Sequence, residues 1–160
     1  MSASNFHSGS STKRASDLDA NSVLTPKVIV AANTTAGAAP LPAGATPLAG
    51  NSGNVAAASA VATLANGADG TTLYLAGFRI DGLGATGAAV VEVTVAGLLG
   101  GTMRVQFSVP AGVGAAVTPL VVEFNAPWPA SAINTDIVVT APSFGSGNTK
   151  AQATAHGFRA

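Results

Sequence analysis

The feature that most constrains the fold is a two-residue alternation of apolar and polar side chains that recurs along residues 54–160. Residues 103–109, MRVQFSV, show it most clearly, because every second side chain is apolar. A period of two predicts a half-buried β-strand. Similar or less regular runs predict strands at six further places: 55–64, 71–80, 90–95, 120–125, 133–140 and 149–158. In the run 71–80, Leu73 and Leu75 are expected on one face, and Tyr74, Phe78 and Ile80 on the other.

Turn-forming residues separate these seven runs at short intervals. Examples are Asn66-Gly67, Asp81-Gly82, Gly100-Gly101 and Pro110-Ala111-Gly112. Such short sequences favour tight turns. No segment of ten or more residues shows an amphipathic helical stripe. Short connections favour hairpins over crossover units. The sequence therefore predicts an all-β fold, a single antiparallel β-sandwich or jelly roll.

Residues 1–53 differ in character from residues 54–160. They are predicted to form an extended N-terminal arm and linker with one short strand at about residues 22–31, centred on Val28-Ile29-Val30. Residues 32–54 contain three prolines among Ala and Gly, and we expect no regular element there. Residues 54–160 are predicted to be the β-sandwich domain.

Charge and cysteine content narrow the classes of function. Seven basic residues cancel seven acidic ones, and charged residues make up 9% of the chain. This balance disfavours a nucleic-acid or anionic-membrane partner. The most apolar stretch, residues 82–101, is rich in glycine and β-branched residues, so it is strand-like rather than membrane-spanning. The N-terminal residues lack the apolar segment of a secretory signal, so we expect synthesis in the cytoplasm. With no cysteine, no disulfide can form.

The motifs that could carry chemistry have simpler structural interpretations. Residues 82–87 match G-x-G-x-x-G, but a strand rather than a helix follows, so a glycine-rich hairpin loop explains them better than a dinucleotide site. The two histidines, His7 and His156, lack metal-ligand spacing. A triad of a serine, His156 and Asp136 lacks the G-x-S-x-G elbow. We therefore expect no enzyme activity, catalytic residue, cofactor or metal, and we expect His156 on a solvated strand face.

Candidate contact residues for a partner are Phe6, Lys13, Arg14 and Trp128. Lys13 and Arg14 are the only adjacent basic pair, and Trp128 lies between two prolines that fix an extended bend. Trp128 has two interpretations. It caps one end of the sandwich, or it anchors a subunit contact, because tryptophan is enriched at interface hot spots.

About the last 90 residues resemble small β-sandwich proteins encoded among phage structural genes. Five segments carry the resemblance: TTLYLAGFRI (71–80), MRVQFSVPAG (103–112), VVEFNAPWP (121–129), INTDIVVT (133–140) and AHGFR (155–159). The resemblance implies a virion component, such as a capsid decoration (cement) protein or a head-fibre or tail-attached module. It implies the major capsid protein or other virion subunits as partners and the virion as location. It does not cover residues 1–53.

Three classes of function remain open. The first is a decoration protein that stabilises or coats a phage-like shell, in which residues 1–53 hold the chain to its partner. The second is a receptor- or glycan-binding module of a head fibre or tail, which predicts an aromatic and polar patch at a loop end. The third is an enzyme, which would require a clefted carboxylate or histidine cluster. A homo-oligomer, for example a trimer, is compatible with the first two.

Overall fold

A computed structural model describes residues 41–67 and 70–160 of the chain. Residues 42–160 form one compact unit. It contains eight strands: β1 (Thr46–Asn51), β2 (Ala60–Leu64), β3 (Leu73–Gly82), β4 (Ala89–Ala96), β5 (Met103–Val109), β6 (Leu120–Pro129), β7 (Ile137–Ala141) and β8 (Ala151–Arg159). The predicted short strand at 22–31, together with Phe6, Lys13 and Arg14, lies outside the described residues.

The strands form two four-stranded antiparallel sheets, in the orders β1-β8-β3-β6 and β2-β7-β4-β5. Eight strands in two packed sheets with this order make a jelly roll, which confirms the predicted all-β sandwich. Of successive strands, only β4 and β5 are hydrogen-bonded neighbours. The expectation of hairpin connections is therefore wrong for the others, including residues 83–88, which join β3 of one sheet to β4 of the other.

Strand β1 corrects the expectation that residues 32–54 contain no regular element. Its sequence, TPLAGN, has no alternation that would reveal it, but its backbone pairs with β8 from Thr46↔Arg159 to Asn51↔Thr154. Gly50 lets β1 approach the other sheet closely, since an added Cβ would lie 2.8 Å from the carbonyl carbon of Thr63 on β2. The side of the sandwich formed by β1 and β2 is thereby closed.

A β-bulge in β3 overturns the predicted division of its faces. The pairing with β8 places Leu75 opposite Gly157 and Gly77 opposite His156, so Ala76 is an extra residue. An extra residue shifts the alternation by one. Phe78 and Ile80 therefore point into the core together with the leucines that precede the bulge, and all of these side chains are at most 1% exposed.

The core combines small and large side chains in different places. Inward positions of β2 and β8 are mostly alanine, which allows the two sheets to approach closely on that side. Larger side chains fill the interior elsewhere, among them Phe78, Phe144, Ile137, Val93 and Val95. Ile133, predicted at the start of a strand, instead lies in the turn before β7 and is exposed, because the strand begins only at Ile137.

Candidate interaction surface

The connections between strands gather at the two ends of the jelly roll. Residues 65–67 and 70–72, 97–102 and 130–136 meet at one end, which we call the Trp128 end. Backbone hydrogen bonds join its loops, including Leu99 N to Pro129 O at 2.9 Å and Ser131 N to Gly97 O at 2.8 Å. The chain also enters β1 at this end, because Thr46 pairs with Arg159 at the C-terminal end of β8.

Trp128 bridges the two sheets at this end. Its indole Nε1 donates a hydrogen bond to the carbonyl oxygen of Leu99 at 2.9 Å, in the loop between β4 and β5. Its ring meets Phe124 edge to face, with centroids 5.7 Å apart and planes at 88°. Phe124 in turn contacts the buried Phe78 at 6.5 Å. A line of aromatic rings therefore runs from the core to the surface, and these contacts fit the capping interpretation of Trp128.

The same end also exposes apolar side chains. Trp128 is 38% exposed, Leu99 56% and Ile133 59%. Isolated exposed apolar residues are common on proteins, but several at one end, with a tryptophan among them, are typical of an interaction site. The sequence offered a signal for Leu99, since an apolar residue in a glycine-rich turn contributes nothing to a strand face. The sequence does not reveal Ile133 as a surface residue, because its alternation with Thr135 and Ile137 predicts a strand.

A network of hydrogen bonds holds the loops of the Trp128 end in place. Asn66, which is 2% exposed, donates from Nδ2 to the backbone oxygen of Thr71 at 2.8 Å, and the Thr71 hydroxyl donates to its Oδ1 at 2.6 Å. Its backbone N–H donates to Asp136 Oδ1 at 2.8 Å, and Arg159 Nη1 donates to its carbonyl oxygen at 2.7 Å. Asn134, in the left-handed region with φ of 57°, accepts from Gly70 N. Such satisfied networks rigidify the loops that they join.

Two ion pairs and one hydrogen-bonded pair lie on the outer faces of the sheets. Arg79 Nε lies 2.8 Å from Asp81 Oδ2, Arg104 pairs with Glu92, and a hydrogen bond of 3.0 Å joins His156 Nε2 and Glu123 Oε2. The last pair joins β8 to β6 across β3, where Gly77 leaves room for it. All three pairs are solvent-exposed or nearly so, and such pairs contribute little to stability.

His156 and Asp136, considered above as members of a triad with a serine, do not lie together. His156 is exposed on the outer face of its sheet, as expected, and pairs with Glu123. Asp136 lies at the Trp128 end and accepts a hydrogen bond from Asn66 N. In residues 41–67 and 70–160, no group of three or more His, Cys, Asp or Glu side chains could hold a metal ion. No helix within these ranges is long and apolar enough to span a bilayer.

A second surface feature lies between β5 and β6, the edge strands opposite β1 and β2. A shallow groove of about 390 Å³ lies between residues 106–110 on one side and residues 116 and 118–120 on the other. Inward-facing side chains along this side are only partly buried, namely Met103, Val105, Leu120, Val122 and Phe124. We call it the open side of the sandwich.

Comparisons with protein-family models, with curated proteins and with solved structures find no match. The resemblance to phage β-sandwich proteins therefore stays a hypothesis based on the residues that carry it.

Proposed function

We propose that this chain is a structural virion protein, a capsid decoration (cement) protein that coats or stabilises a phage-like shell through contacts with the major capsid protein or other virion subunits. The observation that carries the proposal is the Trp128 end, a rigid loop cluster that presents Trp128, Leu99 and Ile133 to solvent. A pre-ordered apolar patch loses little conformational freedom on docking, which favours stable association.

The charge distribution supports protein contacts over other partners. The described surface carries two isolated ion pairs, Arg79–Asp81 and Arg104–Glu92, rather than a basic stripe. Protein interfaces are depleted of charge at their centres and enriched in aromatic residues. The jelly roll is itself a fold of viral capsid proteins, although lectins and other proteins share it, so the fold alone does not define the function.

The proposed docking combines the N-terminal arm with the Trp128 end. The described part of the chain enters β1 at this end, where Thr46 pairs with Arg159. An extended segment can add surface or a strand to a neighbouring subunit. Phe6, Lys13 and Arg14 are the candidate contacts of the arm, and Trp128 is that of the body.

Deletion of residues 1–31 tests this docking. All eight strands of the described residues lie after the deletion, so the truncated chain is expected to fold, with a far-ultraviolet circular dichroism spectrum of the β type. In a virus that carries the truncated gene in place of the full-length gene, we expect the truncated protein to be absent from the particles. The F6A and K13A/R14A variants then separate the apolar from the charged contacts of the arm. Incorporation of the truncated chain at full occupancy would show that the arm has no such role.

The alternative function is a receptor- or glycan-binding module of a head fibre or tail. The exposed ring of Trp128 at a loop end favours it, since sugars stack on aromatic faces. However, the polar side chains of Asn66, Asn134 and Asp136 are already engaged in hydrogen bonds within the body. Binding of residues 42–160 to a glycan array or to host cells, lost in W128A, would support this alternative over the first proposal.

A further inference from the structure

The four edge strands of the sandwich differ in how they are protected. On one side, β1 and β2 meet closely at Gly50 and Thr63. On the open side, β6 contains Pro127 and Pro129 and pairs irregularly with β3 around residues 124–127. Proline and irregular pairing are common devices that prevent a strand edge from pairing with another chain. Strand β6 is therefore a poor template for a further strand.

Strand β5 has none of these protections. Its seven residues contain no proline or glycine, and they pair with β4 without a break, from Ala89↔Val109 to Val95↔Met103. Its other edge has no strand neighbour among the described residues. An unprotected edge of this kind presents unpaired N–H and C=O groups that a further strand can satisfy.

We propose that β5 pairs with β5 of a second copy, antiparallel and about a two-fold axis through Gln106. In this register Met103 lies opposite Val109, Arg104 opposite Ser108, and Val105 opposite Phe107. It is the only antiparallel self-pairing that includes all seven residues. It also matches inward side chains with inward ones, which a shift by one residue would not.

The charges of β5 are compatible with this register. Arg104 is the one charged residue of the strand and lies opposite the neutral Ser108 of the second copy, so no like charges oppose each other. Arg104 keeps its own partner, Glu92. A register centred on Arg104 itself would instead oppose two guanidinium groups.

The pairing also covers the open side. A two-fold axis perpendicular to the sheets joins the two copies of β2-β7-β4-β5 into one eight-stranded sheet and turns the two open sides towards each other. The partly buried side chains there, such as Val105 and Leu120, would then face their counterparts. This isologous contact goes beyond the proposed function and does not depend on it.

Cysteine cross-linking tests the register directly, because the chain has no cysteine of its own. Directly opposite residues have Cα atoms about 4.5–5.5 Å apart, within disulfide reach. The full-length Q106C variant is therefore expected to form a disulfide-linked dimer under mild oxidation. In S108C, on the same edge, the two thiols would be about 13 Å apart along the strands. In T63C the thiol lies on β2, the other edge of the sheet.

We expect Q106C to cross-link at least tenfold faster than S108C or T63C in non-reducing gel electrophoresis. Equal rates for the three variants would overturn the proposed register. Sedimentation equilibrium of the wild-type chain is expected to show a dimer, and a monomer or a trimer at micromolar concentration would overturn the proposed contact.

Two substitutions of Ser108, which introduce a positive or a negative charge, provide a second test, because they should change the dimer Kd in opposite directions. S108R places two pairs of like charges across the axis, and S108E places two pairs of opposite charges. We expect the dimer Kd to rise about two- to thirtyfold in S108R and to fall in S108E, at low salt. T63R and T63E are the matched controls and should leave the Kd unchanged. Equal effects of the two Ser108 substitutions would overturn the pairing, whereas particle incorporation would still test the decoration role separately.

Discussion

Replacing Trp128 with alanine removes the edge-to-face contact with Phe124 and the hydrogen bond to Leu99. A fully buried tryptophan replaced by alanine costs about 3–5 kcal/mol. Trp128 is 38% exposed, so slightly less than two thirds of its surface is buried. Scaling by the buried fraction gives a loss of about 2–3 kcal/mol in the free energy of unfolding for W128A.

The W128F variant separates the ring from its hydrogen bond. Phenylalanine keeps most of the aromatic contact but lacks the indole N–H, and a hydrogen bond contributes about 0.5–1.5 kcal/mol. We expect the lower part of that range, because Leu99 is exposed and water can replace the lost donor. W128F should therefore lie much closer to the wild-type chain than W128A.

Thermal and urea unfolding followed by circular dichroism measure both variants. For a domain of this size, about 1 kcal/mol corresponds to about 4 °C, so W128A should lower Tm by about 8–12 °C and W128F by about 2–4 °C. A loss below about 1 kcal/mol in W128A would show that the ring does not cap the sandwich. Equal losses in the two variants would show that the hydrogen bond, rather than the ring, provides the stabilisation.

Three further substitutions test how the body is held together, each by urea unfolding. G50A should lower the free energy of unfolding by about 1–3 kcal/mol, because the added Cβ would press against the backbone of the neighbouring sheet. The control G87A has open space around its Cβ position, so it should change this free energy by less than about 1 kcal/mol. N66A should cost about 1–3 kcal/mol, since it removes two hydrogen bonds of a buried amide, and a loss below about 0.5 kcal/mol would contradict the network. F144A should cost about 3–5 kcal/mol, because the ring is fully buried, and a smaller loss than in W128A would contradict the assigned core.

The sequence was informative where side-chain alternation alone determines the structure. Residues 103–109 alternate strictly, and they form β5 with the predicted faces. The pattern could not reveal β1, whose Pro47 and Gly50 give no strand signal, because backbone pairing with β8 and close contact with β2 decide its structure. It also could not reveal the bulge at Ala76, since a change of register depends on the partner strands.

The candidate site was predictable only in part. The Pro-Trp-Pro sequence drew attention to Trp128, but its partner Leu99 is distant in the chain, so their hydrogen bond is visible only in the fold. Asn66 looked like an ordinary turn residue, yet it is buried and connects three segments. The unprotected edge of β5 likewise became apparent only once the sheet order was known.

The most direct test of the decoration role is quantitative mass spectrometry of virus particles that are purified from the source organism of this chain. The proposal predicts that the chain is present in hundreds of copies per particle. A handful of copies would instead favour a fibre or tail module, and absence from the particles would contradict the virion function altogether.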